Sequence, residues 1–293
     1  MTHYRHLDVR KLTPTIGAEV HGIDLRQEPQ GEVLDELIRA LHDNLVIFFR
    51  DQEITFEQHM RVGRLFGDLQ QHPIARARHP VHPELLVVHA DENSKVVAGE
   101  DWHSDITCDV APPMASMLHL KVVPPVGGDT MWASMYAALE ALSPSMQAYL
   151  QTLTAVHDGG KPYIGHYKAK VPEGGFPRSE HPVVTVHPAT GRKVLFVNKG
   201  FTTHIKGMRR AESDALLEFL FHHIESPKFN CRFRWRSNSI AFWDNRCTQH
   251  YAIFDYFPQV RTGHRVTISG APPVSARSGA IESVSKPLDT MAA

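Results

Sequence analysis

Two short runs, far apart in the chain, carry residue types that hold metals and anions. Trp102-His103-Ser104-Asp105 offers an imidazole and a carboxylate two positions apart. On an extended chain such a pair leaves the same face, so His103 and Asp105 point the same way. The second run spans Ile240 to Gly270. It reads as a buried strand, Ile240 to Trp243, a turn at Asp244-Asn245-Arg246, His250, and a strand on which Arg261, Gly263, Arg265 and Thr267 share one face. His103, Asp105 and His250 together supply two imidazoles and one carboxylate. That set binds one face of a non-haem ferrous ion and leaves three positions open. Two guanidiniums on one strand face, soon after the last histidine, ask for anions beside the metal.

A frame must bring these runs together. Leu12 to Leu25 reads as short strands around Gly17 and Gly22, and Val33, Leu34, Leu37, Ile38 and Leu41 recur at helical spacing. Leu45 to Phe49 is a continuous apolar run of strand length. Thr55-Phe56-Glu57-Gln58 has the form of a capping box opening a helix to about Phe66. Leu85 to Val88 reads as a buried strand, polar Asp91 to Glu100 as a loop at the mouth of the site, and Met114 to Val123 as a further strand. Pro124 to Gly128 turns the chain into Thr130-Met131-Trp132, and Ser143-Pro144 opens a helix as N-cap and first residue. Asp158 to Glu180 is rich in Gly, Pro and Lys, with Tyr163, Tyr167 and Phe176 among them; so long a connection reads as a lid. Pro182 to Val186 and Lys193 to Asn198 flank a hairpin turn. Leu216, Leu217, Leu220, Phe221 and Ile224 form a helix face, and Phe229 to Trp235 is a strand. After Gly270 the chain becomes Ser-, Pro- and Ala-rich, and a poorly packed tail is expected. Many short strands with a few helices predict a mainly β fold with helical insertions, a double-sheet roll.

His103-x-Asp105, the Gly127-Gly128-Asp129-Thr130 turn, and Trp243-Asp244-Asn245-Arg246 followed by His250, Arg261 and Arg265 resemble the taurine dioxygenase (TauD/TfdA) family. The similarity runs roughly from Leu12 to Gly270. That family comprises iron(II)- and 2-oxoglutarate-dependent oxygenases, with alkylsulfatase and phenoxyalkanoate-herbicide members. The resemblance implies a double-stranded β-helix (a cupin-like jelly roll). It implies one dioxygenase domain over residues 1–272, with the lid at about 158–180 and a C-terminal tail over 273–293. It makes His103, Asp105 and His250 the metal ligands and catalytic centre, with Fe(II), 2-oxoglutarate as cosubstrate and O2 as the cofactors. The distal carboxylate of bound 2-oxoglutarate then needs a partner, and a guanidinium grips a carboxylate through two parallel hydrogen bonds without ever losing its proton. Arg261 matches that position, with the Thr130 hydroxyl as a second donor. Arg265 matches a residue that reaches the substrate's anionic group and the C1 end of the cosubstrate. His72 matches the histidine on the sulfonate side of taurine, and Tyr163 and Phe201 match aromatic pocket walls. Asp244, Asn245 and Arg246 read as shaping the turn that presents His250; Cys247, Asp255 and Tyr256 read as structural. Two positions depart from the taurine pattern: Ala75 replaces a tyrosine and Gly99 an asparagine. Both changes remove bulk and polar contacts, so a substrate larger and less polar than taurine is expected.

The expected reaction hydroxylates a carbon of a small anionic organic substrate (sulfonate, sulfate ester or carboxylate) as 2-oxoglutarate becomes succinate and CO2. A phenoxyalkanoate-cleaving or other carboxylate hydroxylase is the alternative within the family. A non-catalytic β-roll that holds an anion between Arg261 and Arg265 without turnover is the alternative of another class, with a metal-only or zinc-loaded structural roll as its variant. The bulk numbers agree with an enzyme of this kind. A chain of 293 residues, 42% hydrophobic and 22% charged, can bury a sizeable core. A net charge of −1 argues against general nucleic-acid binding. No apolar run approaches the roughly 18 residues of a membrane span, and Met1 to Arg5 lacks an apolar signal core. Cys108, Cys231 and Cys247 have no metal-type spacing, so a reducing cytoplasm is the expected setting. A homo-oligomer (dimer or tetramer) without nucleic-acid or membrane partners is expected.

Overall fold

In the computed structural model, which describes residues 4–72, 79–97, 99–165 and 168–277, the apolar runs become strands whose two faces serve different cores. The chain begins with β1 (Asp8–Lys11), β2 (Ala18–His21), α1 (Gly31–Asn44), β3 (Val46–Phe49), α2 (Phe56–Arg64) and β4 (Leu86–Ala90). It continues through β5 (Ala115–Val122), β6 (Thr130–Ser134), α3 (Met135–Glu140), α4 (Pro144–Leu150), β7 (Thr154–Asp158), α5 (Gly160–Gly165) and β8 (Arg178–Pro182). Then come β9 (Val184–Val186), β10 (Lys193–Leu195), β11 (Thr202–Ile205) and α6 (Arg210–Ile224). The last strands are β12 (Asn230–Phe233), β13 (Ser239–Asp244), β14 (Thr248–Ala252), β15 (Arg261–Ile268) and β16 (Val274–Ser275).

One seven-stranded sheet runs β1-β2-β3-β13-β5-β15-β4, and three-stranded sheets run β12-β6-β14, β11-β7-β8 and β10-β9-β16. The run Val46-Ile47-Phe48-Phe49 explains how they pack. Val46 and Phe48 enter a core shared with Trp132, Ala133 and Leu195 of the smaller sheets. Ile47 and Phe49 enter a second core with Leu37, Leu41, Met60 and Val62 of α1 and α2. On β13, Ala241 and Trp243 go inward while Ile240 and Phe242 face the helices, and β5 splits Leu118 and Leu120 from Met117 in the same way. A strand buried on both faces must be apolar at every position, which is why these segments read as unbroken runs. Each fully buried Phe or Leu of this kind contributes about 1.5–3 kcal/mol. The result is the mainly β jelly roll with helical insertions, the main sheet opposed to the smaller ones and its outer face covered by α1 and α2. No helix among the described residues is long and apolar enough to cross a membrane.

The capping box forms as the sequence predicts: Gln58 N–H donates to Thr55 Oγ1 at 3.2 Å, and Thr55 N–H donates to Gln58 Oε1 at 2.8 Å. Elsewhere the structure differs from expectation. The first strand starts at Asp8, before Leu12. The stretch read as a lid is structured at both ends. Asp158 closes β7, Gly160–Gly165 is α5 and β8 starts at Arg178, which leaves a shorter loop. The chain beyond Gly270 is not wholly unpacked, because β16 pairs antiparallel with β9 and Ala276 packs on the inner core. Apolar Val274 and Ala276 outweigh the Ser-Pro-Ala composition there. Ala75, Tyr167 and residues 278–293 of the expected tail lie outside the described residues.

On β15 the alternation holds: Val266 and Ile268 enter the helix-side core, while Arg261 and Thr267 are buried on the other face. β15 lies between β4 and β5, with a register shift between Thr262 and Gly263. A Cβ at Gly263 would overlap the carbonyl oxygen of His119 and the backbone of Leu120. Gly263→Ala is therefore expected to destabilise by roughly 1–3 kcal/mol or more through overpacking. Urea denaturation checks this, and an unchanged midpoint would contradict it.

Candidate active site

His250 lies on β14, opposite Trp132 of β6. The His103 segment joins it through one antiparallel bridge, with His103 N–H to His250 O at 3.1 Å and His250 N–H to His103 O at 2.8 Å. Their imidazole centroids come to 4.1 Å. The extended stretch ends there. Asp105 opens a turn that continues through Cys108, and Ile106 sits at φ 47°. Left-handed backbone at a β-branched residue is strained by about 1–3 kcal/mol and is a feature of functional sites. Two glycines make room for the His103 ring. A Cβ on Gly200 would lie 2.8 Å from His103 Cβ, and one on Gly99 would lie 3.2 Å from His103 Cε1.

Asp105 is buried with its oxygens in different roles. Oδ1 lies 3.9 Å from His103 Nε2 and 4.0 Å from His250 Nε2, and it accepts a hydrogen bond from an Arg265 terminal nitrogen at 2.8 Å. Oδ2 accepts from Ser116 Oγ at 2.7 Å. The ligating atoms of all three residues lie within 4.8 Å of one another. Donors about 2.0–2.2 Å from one ion are at most about 4.4 Å apart, so both histidine–aspartate distances suit a shared metal. The protonation states suit it too. His103 Nδ1 donates to Asp101 O at 2.7 Å, which leaves Nε2 with its lone pair. Burial pushes both imidazoles below their usual pKa, His250 far below with His103 adding to the effect, so both are neutral. Burial alone would raise Asp105, but the Arg265 guanidinium beside it, helped by the Ser116 hydrogen bond, holds it ionised, well below the usual carboxylate range.

Arg261 supplies the second half of the site. Its guanidinium is buried, donates from Nε to Gly128 O at 3.1 Å, and approaches Thr130 Oγ1 at 3.4 Å. Among the described residues no carboxylate makes an ion pair with it. Burial lowers its pKa from the usual arginine value. Asp255, read as structural, is so: its carboxylate takes the Gly128 N–H at 2.8 Å and sets the turn that faces Arg261. Tyr256, also read as structural, lines the cavity beside Arg261. Thr130 Oγ1 accepts from Trp235 Nε1 at 3.0 Å, a donor that sequence reasoning missed.

A cavity of about 650 Å³ contains His103, Asp105, His250, Thr130, Arg261 and Arg265 in its wall. His72, Tyr163 and Phe201 line it as well, so the structure brings every predicted site residue to one space. Tyr163 and Phe201 are buried and meet edge to face at 6.3 Å, and His72 lies 6.5 Å from Tyr163. Ala169, Lys170 and Pro172 of the shortened lid loop complete one wall, and Val97 and Gly99 of the polar loop another. Asp244 shapes the turn before His250, as expected. Its carboxylate is held by Arg246 at 2.5 Å and by His187 Nε2 at 3.0 Å. His187, Asp244 and Cys247 also cluster closely enough for a metal. However, His187 Nδ1 accepts backbone N–H groups from Ala189 and Thr190, so Nε2 carries the proton and has no lone pair to offer.

A family model for "Taurine catabolism dioxygenase TauD, TfdA family" matches residues 8–267. The chain belongs to this family. It is 34% identical to an alpha-ketoglutarate-dependent sulfate ester dioxygenase of Pseudomonas putida, over 93% of this chain and 92% of that protein. It is 32% identical to an alkylsulfatase of Acinetobacter baylyi, over 91% of this chain and 86% of that one. A crystal structure of a taurine dioxygenase from Burkholderia xenovorans superposes with a TM-score of 0.82 at 36% identity, covering 93% of this chain and 92% of the other. Membership of the TauD, TfdA family agrees with the jelly roll and with the gathering of His103, Asp105, Thr130, His250, Arg261 and Arg265 around one cavity.

The buried imidazoles also govern stability. His59 and His119, between α2 and the main sheet, are pushed down to about 3 by burial, and His103, His250 and His157 are lowered as well. Unfolded, each takes its proton near pH 6.5. Below that pH the unfolded chain binds more protons than the folded one, so stability falls as pH falls. Asp105 works at the acid end: its depressed pKa adds stability above about pH 3.9 that is lost on further acidification. Metal-free protein should lose up to about 1.4 kcal/mol per pH unit for each such imidazole between pH 6.5 and 5.5. Chemical denaturation across that range measures the slope, and a flat profile would refute it.

Proposed function

We propose that the protein is an Fe(II)- and 2-oxoglutarate-dependent dioxygenase that hydroxylates a carbon of a small anionic organic substrate other than taurine, forming succinate and CO2. The observation that carries this reading is a buried Arg261 with no carboxylate partner among the described residues, in the same cavity as His103, Asp105 and His250. A buried guanidinium is strongly unfavourable unless paired, and a dicarboxylate that also reaches the metal site is the anion to pair it. A bare anion-binding roll has no use for three unprotonated ligands around one point.

His103, Asp105 and His250 would hold the iron, which when bound would supply the redox chemistry that couples dioxygen and the oxidative decarboxylation of 2-oxoglutarate to oxidation of a C–H bond. The chain's own residues place the reactants. Arg261 grips the distal carboxylate bidentately, and Thr130, whose oxygen already accepts from Trp235, turns its proton to the same carboxylate. Arg265, whose buried Nε has no hydrogen-bond partner among the described residues, and His72 hold the substrate's anionic head. Tyr163 and Phe201 pack against its body. The loop carrying Ala169 and Pro172 closes over the site and excludes water. The cavity, at about 650 Å³, is far roomier than taurine requires. Its apolar walls, Leu86, Val88, Ala90 and Val97 among them, favour an alkyl or aryl body behind a sulfate ester or sulfonate. Three buried free cysteines accord with a cytoplasmic enzyme.

Arg261→Gln should raise the 2-oxoglutarate KM roughly ten- to a hundredfold, the loss of charge-assisted hydrogen bonds worth about 1.5–3 kcal/mol. Asp105→Asn should abolish substrate-coupled succinate release; full activity in that variant would end the metal reading. In a panel of alkyl sulfate esters, sulfonates, aryloxy carboxylates and taurine, long-bodied sulfur anions should show the highest kcat/KM. Taurine as the best substrate would overturn the substrate assignment and leave the reaction class intact.

A further inference from the structure

Asn245 spends all its polar groups on the metal-site segment and its support. Its backbone N–H donates to Met114 O at 2.8 Å, and its backbone carbonyl accepts from Ser104 Oγ at 2.6 Å. Its side-chain oxygen accepts from Trp243 Nε1 at 2.9 Å and from Asp105 N–H at 3.4 Å. Its side-chain amide donates to Ser116 Oγ at 3.0 Å, and Ser116 passes its own proton to Asp105 Oδ2 at 2.7 Å. Asn245, Ser104, Trp243, Asp105 and Ser116 are all buried, Ser116 completely. Ser116 stands on β5 opposite Trp243 of β13 and Thr267 of β15, in the middle of the sheet. A hydroxyl there has no solvent to turn to, so its direction is set by one donor and one acceptor.

From this geometry we infer that Ser116 and Asn245 are positioning residues that dedicate Asp105 Oδ1 to the metal. Ser116 occupies Oδ2, Asn245 fixes the Ser116 hydroxyl and the Asp105 backbone together, and the single oxygen left facing the two imidazoles is Oδ1. Arg265 touches that same oxygen at 2.8 Å and neutralises it from the cavity side. A carboxylate clamped in this way donates one oxygen rather than two, which preserves the open positions that a keto acid and dioxygen require. Asn245 also belongs to the turn that delivers His250, so one side chain sets both halves of the ligand set at once. The inference rests on the metal-site reading above, for which the Asp105 variant is the separate control.

The test uses the full-length, metal-free protein with Mn(II) as probe, the free ion counted by electron paramagnetic resonance. Wild type should bind Mn(II), and Asp105→Asn should bind it far more weakly. Ser116→Ala, and Ser116→Cys of nearly equal volume but with a poor donor, should lose about 10–100-fold in affinity. Ser116→Thr, which keeps the hydroxyl, should retain wild-type affinity. Cys and Ala variants that bind as tightly as wild type overturn the positioning role alone. So does a weak Thr variant beside a tight Cys variant, because that order follows volume rather than the hydrogen bond. Wild type that ignores Mn(II), or Asp105→Asn that binds equally well, overturns the metal site itself and this inference with it.

Discussion

A single backbone bridge between His103 and His250 turns two remote pieces of chain into one site. Both partners are held from behind. His250 is locked in β14 against β6, and the turn that feeds it is pinned by the buried Asp244, Arg246 and His187 contacts. His103 is held at the start of a turn whose backbone and side chains are tied to Asn245. Side chains carried on sheet and tied turns keep their spacing without help from an ion.

Charge is distributed across the cavity with the same economy. Asp105 is the buried carboxylate beside the two imidazoles, and Arg265 faces it at ion-pair distance. Arg261, four residues away on the same strand, meets a backbone carbonyl and a hydroxyl instead. The alternation of β15 thus sends both guanidiniums to the cavity side, one paired with the protein's own carboxylate and the other without a carboxylate partner among the described residues. A one-residue slip in β15 would exchange these inward positions for Thr262, His264 and Val266. The shift at Gly263 and the pairing on both sides of β15 hold the register.

Much of this was legible in the chain. The unbroken apolar runs at Val46–Phe49 and Ile240–Trp243 announced strands covered on both sides, and the Thr55 capping box announced α2 at its first residue. The inward arginines followed from a period of two. Less was readable where tertiary contacts override local pattern. Glycine and proline between Asp158 and Glu180 concealed α5 and the first residues of β8. The composition after Gly270 concealed β16, whose pairing depends on β9 rather than on its own residues. Ser116 gave only a faint sign, a lone hydroxyl on the inward face of an apolar strand, and nothing local joins it to Asn245. Tyr256 looked structural because its proximity to Arg261 exists only in the folded chain.

The two glycines around His103 set where this scaffold can diversify. Gly99 and Gly200 press on His103 from two separate turns, so any added side-chain volume there displaces His103 before it reshapes the cavity. The outline of the cavity can change more freely at Ala169, Lys170 and Pro172, which line it from a loop free of sheet register. The reactive half of the cavity is sterically frozen and the recognition half is open to drift, which lets one oxidation chemistry be handed from one anion to the next.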